Sequence, residues 1–176
     1  IPPTEDLSRP GTTWYPTLGH KRFNFWHIAS TWYHEAVPGH HLQFATAALE
    51  KDRLSRFQRT GAWISGYGEG WALYAERFMD ELGAFDEPSL ELGYLSGQAL
   101  RAARVVVDIG MHCGFKAPNG KVWDAQSGFE LLVDNAMMAP DFAKSEIERY
   151  LGWPGQAISY KVGERFWMEI REAAKE

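Results

Sequence analysis

The order of apolar and polar positions along the 176 residues indicates helices separated by glycine and proline. Apolar side chains recur at helical spacing, which places them on one face of each helix. Helices are predicted at about residues 26–51, 67–82, 89–112, 124–138, 141–150 and from 154 to the end. Residues 1–24, with three prolines before Gly11 and a fourth at position 16, predict a loop with one short strand near residues 11–17, where β-branched and aromatic residues concentrate. The expected fold is mainly α.

Length and charge restrict the classes of protein to which this chain can belong. A chain of 176 residues is one domain by size and can bury a core without covalent cross-links. A net charge of -5 without a basic run argues against a nucleic-acid partner. Cys113 is the single cysteine, so no internal disulfide is possible. No run of about 18 apolar residues is present, and no membrane segment is expected. The location of the protein stays open.

The sequence "HEAVPGHH", which begins at His34, nearly matches the His-Glu-x-x-His signature of zinc hydrolases. Pro38 stands where the second histidine belongs, so the candidates are His40 and His41. In an unbroken helix His41 would lie about 10 Å along the axis from His34, too far to share one ion. A bulge at Pro38 and Gly39 would absorb two residues and bring His40 beside His34. The alternative is that one helix ends and another begins, with histidines on the surface.

A hydrolytic zinc site also needs a general base and a third protein ligand. Glu35, next to the first histidine, can be the base. Glu69, in "GYGEGWALYAE", is the candidate ligand, because the glycines around it permit close approach of a metal site or of another backbone. Glu76 follows seven residues later on the same helix face. The alternative is that Glu69 merely interacts with the helix dipole at an N-terminus, which would leave the glycines unexplained.

These segments together resemble the DUF885 family of bacterial proteins. The resemblance rests on "HEAVPGHHLQ" and "EGWALYAE", with "SRPGTTWY", "RAARVVVDIGMH" and "EIERYLGWPGQAISYKVGE" in the order typical of the family. It implies a zincin-type metallopeptidase with Zn²⁺ bound by His34, His40 and Glu69. The expected structure is therefore a zincin-like helical domain with a bulged metal helix. Family members are usually longer, so the chain is expected to be a catalytic core cut at both ends.

Two further features are candidates for the rest of the site. Arg104, Asp108 and His112 are spaced by four residues, so Asp108 can orient His112. Tyr160 and Lys161 follow a predicted helix start. His112 or Tyr160 is expected to stabilise the oxyanion, while Arg104 and Lys161 are expected to hold a substrate carboxylate. The alternative is a buried salt-bridge stripe and a packed tyrosine.

The function predicted from the sequence is zinc-dependent hydrolysis of peptide bonds. His34, His40 and Glu69 bind the metal, and Glu35 carries the proton from water to the leaving amine. The substrate is a peptide or a small amide, so hydrolysis of another amide is one alternative. The other is a metal-stabilised fragment that binds peptides without cleaving them.

Overall fold

Eight helices form the regular structure in the computed structural model, which describes residues 1–176. They are α1 (Phe25–Glu35), α2 (His40–Leu49), α3 (Arg56–Thr60), α4 (Ser65–Glu81), α5 (Pro88–His112), α6 (Ala125–Ala136), α7 (Pro140–Gly152) and α8 (Ser159–Ala173). The only β-pairing is an isolated antiparallel bridge between Lys116 and Val122, on either side of a short turn. The expectation of a mainly α fold is confirmed. None of the helices combines the length and the apolar character needed to cross a bilayer.

Besides the segment between α1 and α2, three features differ from the sequence prediction. The strand expected near residues 11–17 is absent, because the segment forms no ladder of backbone hydrogen bonds with another extended segment. Thr12 instead exchanges hydrogen bonds with the backbone of Ile1. The last helix starts at Ser159 rather than near 154, since Gly155 has a φ of 79° and cannot continue a right-handed helix. The short helix α3 was not predicted. A reciprocal capping box between Ser55 and Gln58 begins it.

The segment between α1 and α2 is a complete break, so the prediction of one bulged helix was wrong. α1 ends at Glu35 and α2 begins at His40. Gly39 makes this break possible, because a Cβ at this position would overlap the backbone carbonyls of His34 and Tyr33. The indole Nε1 of Trp71 on α4 donates to the carbonyls of Pro38 and Gly39, at 2.9 and 3.2 Å. The turn is therefore held from outside as well as by its own backbone.

Helices α4 and α8 pack with their backbones in close contact. A Cβ on Gly163 would overlap the carbonyl oxygen of Gly66, and a Cβ on Gly70 would overlap the backbone of Gly163. The glycines around Glu69 therefore allow another backbone to approach closely. This was one of the two possibilities that the sequence predicted, the other being a metal site. The close approach places α8 directly against the face of α4 next to Glu69.

The apolar core has two parts. The larger part joins α5, α6 and α7 and contains fully buried side chains such as Val107, Leu132 and Tyr150. The smaller part surrounds Phe85 and Tyr94 and packs against α1. Helix α5 contributes to both, so it forms the support on which α1, α6, α7 and α8 are arranged.

Candidate metal centre

Three side chains from three helices converge on one point. His34 comes from the last turn of α1, His40 from the first residue of α2, and Glu69 from the second turn of α4. The Nε2 atoms of the two histidines lie 3.3 and 3.2 Å from the same Glu69 oxygen, Oε2. A set of ligand atoms, one from each residue, fits within 4.8 Å of one another. The three residues are 3%, 9% and 8% exposed, so all three side chains are largely buried.

The protonation chemistry of the cluster fits a bound cation. Nδ1 of His34 lies 2.8 Å from Oε1 of Glu76, and a neutral imidazole that donates there has only a lone pair left at Nε2. That lone pair is directed at the Glu69 carboxylate, so a proton or a metal ion must lie between them. Burial alone would raise the pKa of Glu69, but hydrogen bonds from His34 and His40 outweigh it and hold this pKa well below its usual range. Two imidazoles and a carboxylate are a donor set suited to zinc.

Glu76 supports the cluster from behind and was not predicted to be part of the site. It is fully buried, accepts a hydrogen bond from Ser30 Oγ, and lies 3.4 Å from a guanidinium nitrogen of Arg101. Burial would raise the pKa of Glu76, but the charge of Arg101 and the hydrogen bond with His34 lower it overall. Burial lowers the pKa of His34, but its hydrogen bonds with Glu69 and Glu76 outweigh burial and raise this pKa overall. The sequence signal was the seven-residue spacing from Glu69, which puts both carboxylates on one helix face.

A cavity of about 590 Å³ opens beside the cluster. Glu35 and His40 lie in its wall, so the predicted base and one predicted ligand face the same space. The opposite wall belongs to the N-terminal segment, and the aromatic lining consists of Trp14, Trp32 and Phe44. His41 also lines the cavity but packs towards Gly11 and is not part of the three-residue cluster. The structure therefore brings His40, and not His41, to His34 and Glu69.

Tyr160 is the second predicted catalytic residue that lies near the cluster. Its ring stacks on the imidazole of His34, with centroids 6.0 Å apart and planes inclined by 24°. Two guanidinium groups also lie over the ring, with the guanidinium carbons of Arg104 and Arg101 at 4.6 and 5.7 Å from its centroid. The ring reaches this position from the first turn of α8, next to the close contact with α4.

The two predicted substrate-binding cations have partners inside the protein. Arg104 is buried and binds Glu146 through its guanidinium group, with Nε 3.0 Å from Oε2. Lys161 contacts Gln98 and the buried carboxylate of Glu164, the latter at 2.9 Å. Both charges are balanced by neighbours, and neither residue lines the cavity.

His112 lies away from the cluster. Its Nε2 is 3.1 Å from the carbonyl oxygen of Tyr150 and 3.5 Å from Asp108, the neighbour expected to orient it. Helix α5 passes the cluster near Gly97, where an added Cβ would be 3.7 Å from Glu76. His112 follows at the end of the same helix, about 22 Å further along at 1.5 Å per residue. The structure does not bring His112 together with the three candidate ligands.

The fold and the site define a helical protein with a buried two-histidine, one-glutamate cluster beside a cavity. The chain belongs to the DUF885 family, described as "Bacterial protein of unknown function", which matches residues 1–176. No curated protein is significantly similar to it.

Two solved structures are similar to the chain. A candidate lipoprotein from Colwellia psychrerythraea has a TM-score of 0.85 and 34% identity, covering 98% of this chain and 28% of that protein. A candidate lipoprotein of unknown function from Shewanella oneidensis has a TM-score of 0.69 and 25% identity, covering 86% of this chain and 26% of that protein. The chain thus spans little more than a quarter of the length of either relative.

Proposed function

We propose that this chain carries the zinc centre of a hydrolase that cleaves peptide bonds. The observation that supports the proposal is the convergence of His34, His40 and Glu69 beside a cavity that also contains Glu35. Two histidines and one glutamate are a ligand set of zinc peptidases, in which the fourth position is left for water or substrate. A purely structural zinc site would instead have four protein ligands.

The candidate ligands, Glu35 in the cavity wall and Tyr160 beside His34 have separate roles in the proposed reaction. Bound zinc would supply the positive charge that lowers the pKa of water and stabilises developing negative charge. Glu35 accepts the proton of the attacking water and delivers it to the leaving amine, since it adjoins His34 and lies in the cavity wall. Tyr160, stacked on His34, is the proposed hydrogen-bond donor to the oxyanion. His112 is not assigned a role in this scheme.

The cavity also indicates which part of a substrate it would bind. Its volume of about 590 Å³ lies within the ordinary range of ligand pockets, and its aromatic lining suits apolar side chains of a peptide. Arg104 and Lys161 are neutralised by internal partners, so the proposal does not use them to hold a substrate carboxylate.

The decisive experiment replaces Glu35 with glutamine in the full-length protein. The variant keeps the shape of the side chain and all three candidate ligands, so one zinc per chain should still bind. Hydrolysis of a peptide library should fall by about 10²–10⁴-fold, the usual contribution of a general base. Glu91→Gln, at an exposed position of α5, is the matched control and should be fully active. A Glu35→Gln variant with parental activity would rule out this mechanism.

The same experiment separates the alternatives. If the full-length parent binds zinc but cleaves only non-peptide amides, the chemistry is retained and the substrate class changes. If it binds zinc and cleaves neither peptides nor other amides, the peptide-binding fragment replaces the enzyme as the better explanation.

A further inference from the structure

We propose that Arg104, with Glu146 as its counter-ion, is a positioning residue that holds the Tyr160 ring against the metal ligand His34. This role deepens the proposed function and rests on it for its effect on catalysis. The positioning itself is a structural claim, and it can be tested on metal-free protein.

The Tyr160 ring has two planar groups close to it. It stacks on the His34 imidazole, and the Arg104 guanidinium lies 4.6 Å from the ring centroid. Tyr160 is 5% exposed and Arg104 is 6% exposed, so water does not compete for either contact. A tyrosine side chain has only two main torsions, and these two contacts with the ring restrict both of them. Since the hydroxyl is rigidly attached to the ring, these contacts also determine where it points.

The surroundings of Arg104 fix the orientation of its guanidinium plane. Nε is 3.0 Å from both Glu146 Oε2 and the hydroxyl of Tyr150, and Nη2 also reaches Glu146. The Tyr150 hydroxyl in turn donates to Glu146 at 2.7 Å, which closes the network. An arginine held by several directed hydrogen bonds presents a fixed planar face, and such a face attracts the π-cloud of an aromatic ring.

The alternative is that Arg104 and Glu146 form an ordinary buried ion pair that joins α5 to α7. Buried pairs are often no more stabilising than well-packed apolar residues, so stability alone is a weak explanation for retaining one. The position of the pair supports the additional role. A continuous series of contacts runs from Glu146 through Arg104 and Tyr160 to His34, so the pair can act on the proposed metal site without touching it.

The first test measures the position of the ring without metal or substrate. Full-length protein is labelled with 3-fluorotyrosine, and the ¹⁹F signal of Tyr160 is identified by its absence in Tyr160→Phe. Replacing both members of the pair, Arg104→Met with Glu146→Met, removes the interaction without leaving a buried charge unpaired. The Tyr160 signal should shift and broaden in this double variant, whereas Arg104→Lys should change it less.

The matched control is Arg77→Met, which removes an arginine from a 2.9 Å ion pair with buried Glu164 on another part of α4 and α8. Its Tyr160 signal should equal that of the parent. If the double variant folds and its Tyr160 signal is unchanged, the ring does not depend on Arg104 and the proposal is overturned. If the double variant does not fold, the signal in Arg104→Lys decides, since an unchanged signal there also overturns it.

The second test asks whether Arg104 acts through Tyr160. Displacing a reacting group by about 1 Å can lower a rate by about 10²-fold, so the pair variant should lower kcat by one to two orders of magnitude with little change in KM. Adding Tyr160→Phe to the pair variant should lower kcat no further than Tyr160→Phe alone. Zinc affinity should stay within about twofold of the parent, because the three ligands are untouched. Independent, multiplicative losses in kcat would contradict the proposal. If the parent cleaves no substrate, the proposed function fails while the fluorine spectrum still decides the position of the ring.

Discussion

Nδ1 of His34 and Oε1 of Glu76 are 2.8 Å apart, and neither side chain is accessible to solvent. The carboxylate therefore selects the tautomer of His34 that donates from Nδ1 and keeps Nε2 free for a metal. Arg101 and Ser30 hold the carboxylate from its other sides. Such partners of metal-binding histidines fix the ring orientation and raise the basicity of the ligand nitrogen.

Glu76→Gln is expected to weaken zinc binding by about 10–100-fold, the usual effect of losing such a partner. Glutamine has a similar shape but lacks the negative charge that favours donation from His34. The measurement is competition with a chelator of known affinity. Glu164→Gln provides the control, because it neutralises another buried glutamate that lies in the Arg77 and Lys161 contacts. Equal zinc affinities in the two variants would show that Glu76 is only a packing residue.

His40→Ala should abolish binding of one zinc per chain, and His41→Ala should leave it intact. The reason is geometric, since His40 Nε2 points at Glu69 while His41 packs towards Gly11. Metal content after dialysis distinguishes the two variants, with His34→Ala as the reference for complete loss. The opposite ranking of the two histidines would mean that the assignment of ligands is wrong.

Gly39→Ala should disturb both folding and metal binding. An added methyl would overlap the carbonyl of His34, so the turn must open and carry His40 away from Glu69. Overpacking of this kind typically costs about 1–3 kcal/mol of unfolding free energy. Urea unfolding and zinc affinity measure the two effects. Gly66→Ala is the comparison, because a Cβ there meets open space, and it should leave zinc affinity unchanged.

The elements that depend on local sequence were predicted well. Helix α5 was expected at 89–112 and lies at 88–112, because its apolar spacing and its flanking residues agree. The pairing of His34 with His40 was also expected, since Pro38 and Gly39 signal an irregular backbone. That irregularity was predicted as a bulge and is a full break. Local sequence shows that a helix cannot continue, but it does not show the direction in which the chain resumes.

The residues that depend on long-range contacts were not predictable in this way. Arg104 was expected to contact substrate, but its partner Glu146 comes from another helix 42 positions later. His112 follows Arg104 at helical spacing, but this spacing places His112 further along α5 and away from the cluster. Glu76 was recognised only by its seven-residue spacing from Glu69. The sequence does not show that this face of the helix meets His34. Helix packing decides each of these cases.

Glu146 should contribute to stability in a pH-dependent way. Burial would raise its pKa, but the charge of Arg104 together with the hydrogen bonds from Tyr150 and Arg104 outweighs burial and holds the pKa below the ordinary value of 4.5. A carboxyl with a lowered pKa stabilises the folded protein above about pH 4.5, and the contribution is lost as pH falls through the folded-state pKa. Glu146→Gln should therefore lower unfolding free energy most at pH 7, by about 3–5 kcal/mol, because Arg104 loses its partner.

The difference between parent and Glu146→Gln should shrink on acidification. Urea unfolding of the full-length protein at several pH values between about 7 and 3 measures it, since linkage acts around and below the ordinary carboxyl pKa. Glu148→Gln, at an exposed position on the same helix, should follow the parent throughout. A constant difference across this range would mean that the pKa of Glu146 is not lowered by folding.

The candidate ligands lie close together in the sequence, whereas Tyr160 lies far from them along the chain. Glu69 follows His34 by 35 positions and His40 by 29. During synthesis all three ligands therefore leave the ribosome well before α8, which supplies both Tyr160 and the backbone surface against which α4 packs. The candidate ligands and the proposed base Glu35 are therefore synthesised before Tyr160, the proposed donor to the oxyanion. Completion of α8 then places Tyr160 beside His34 as one of the last steps in assembling the site.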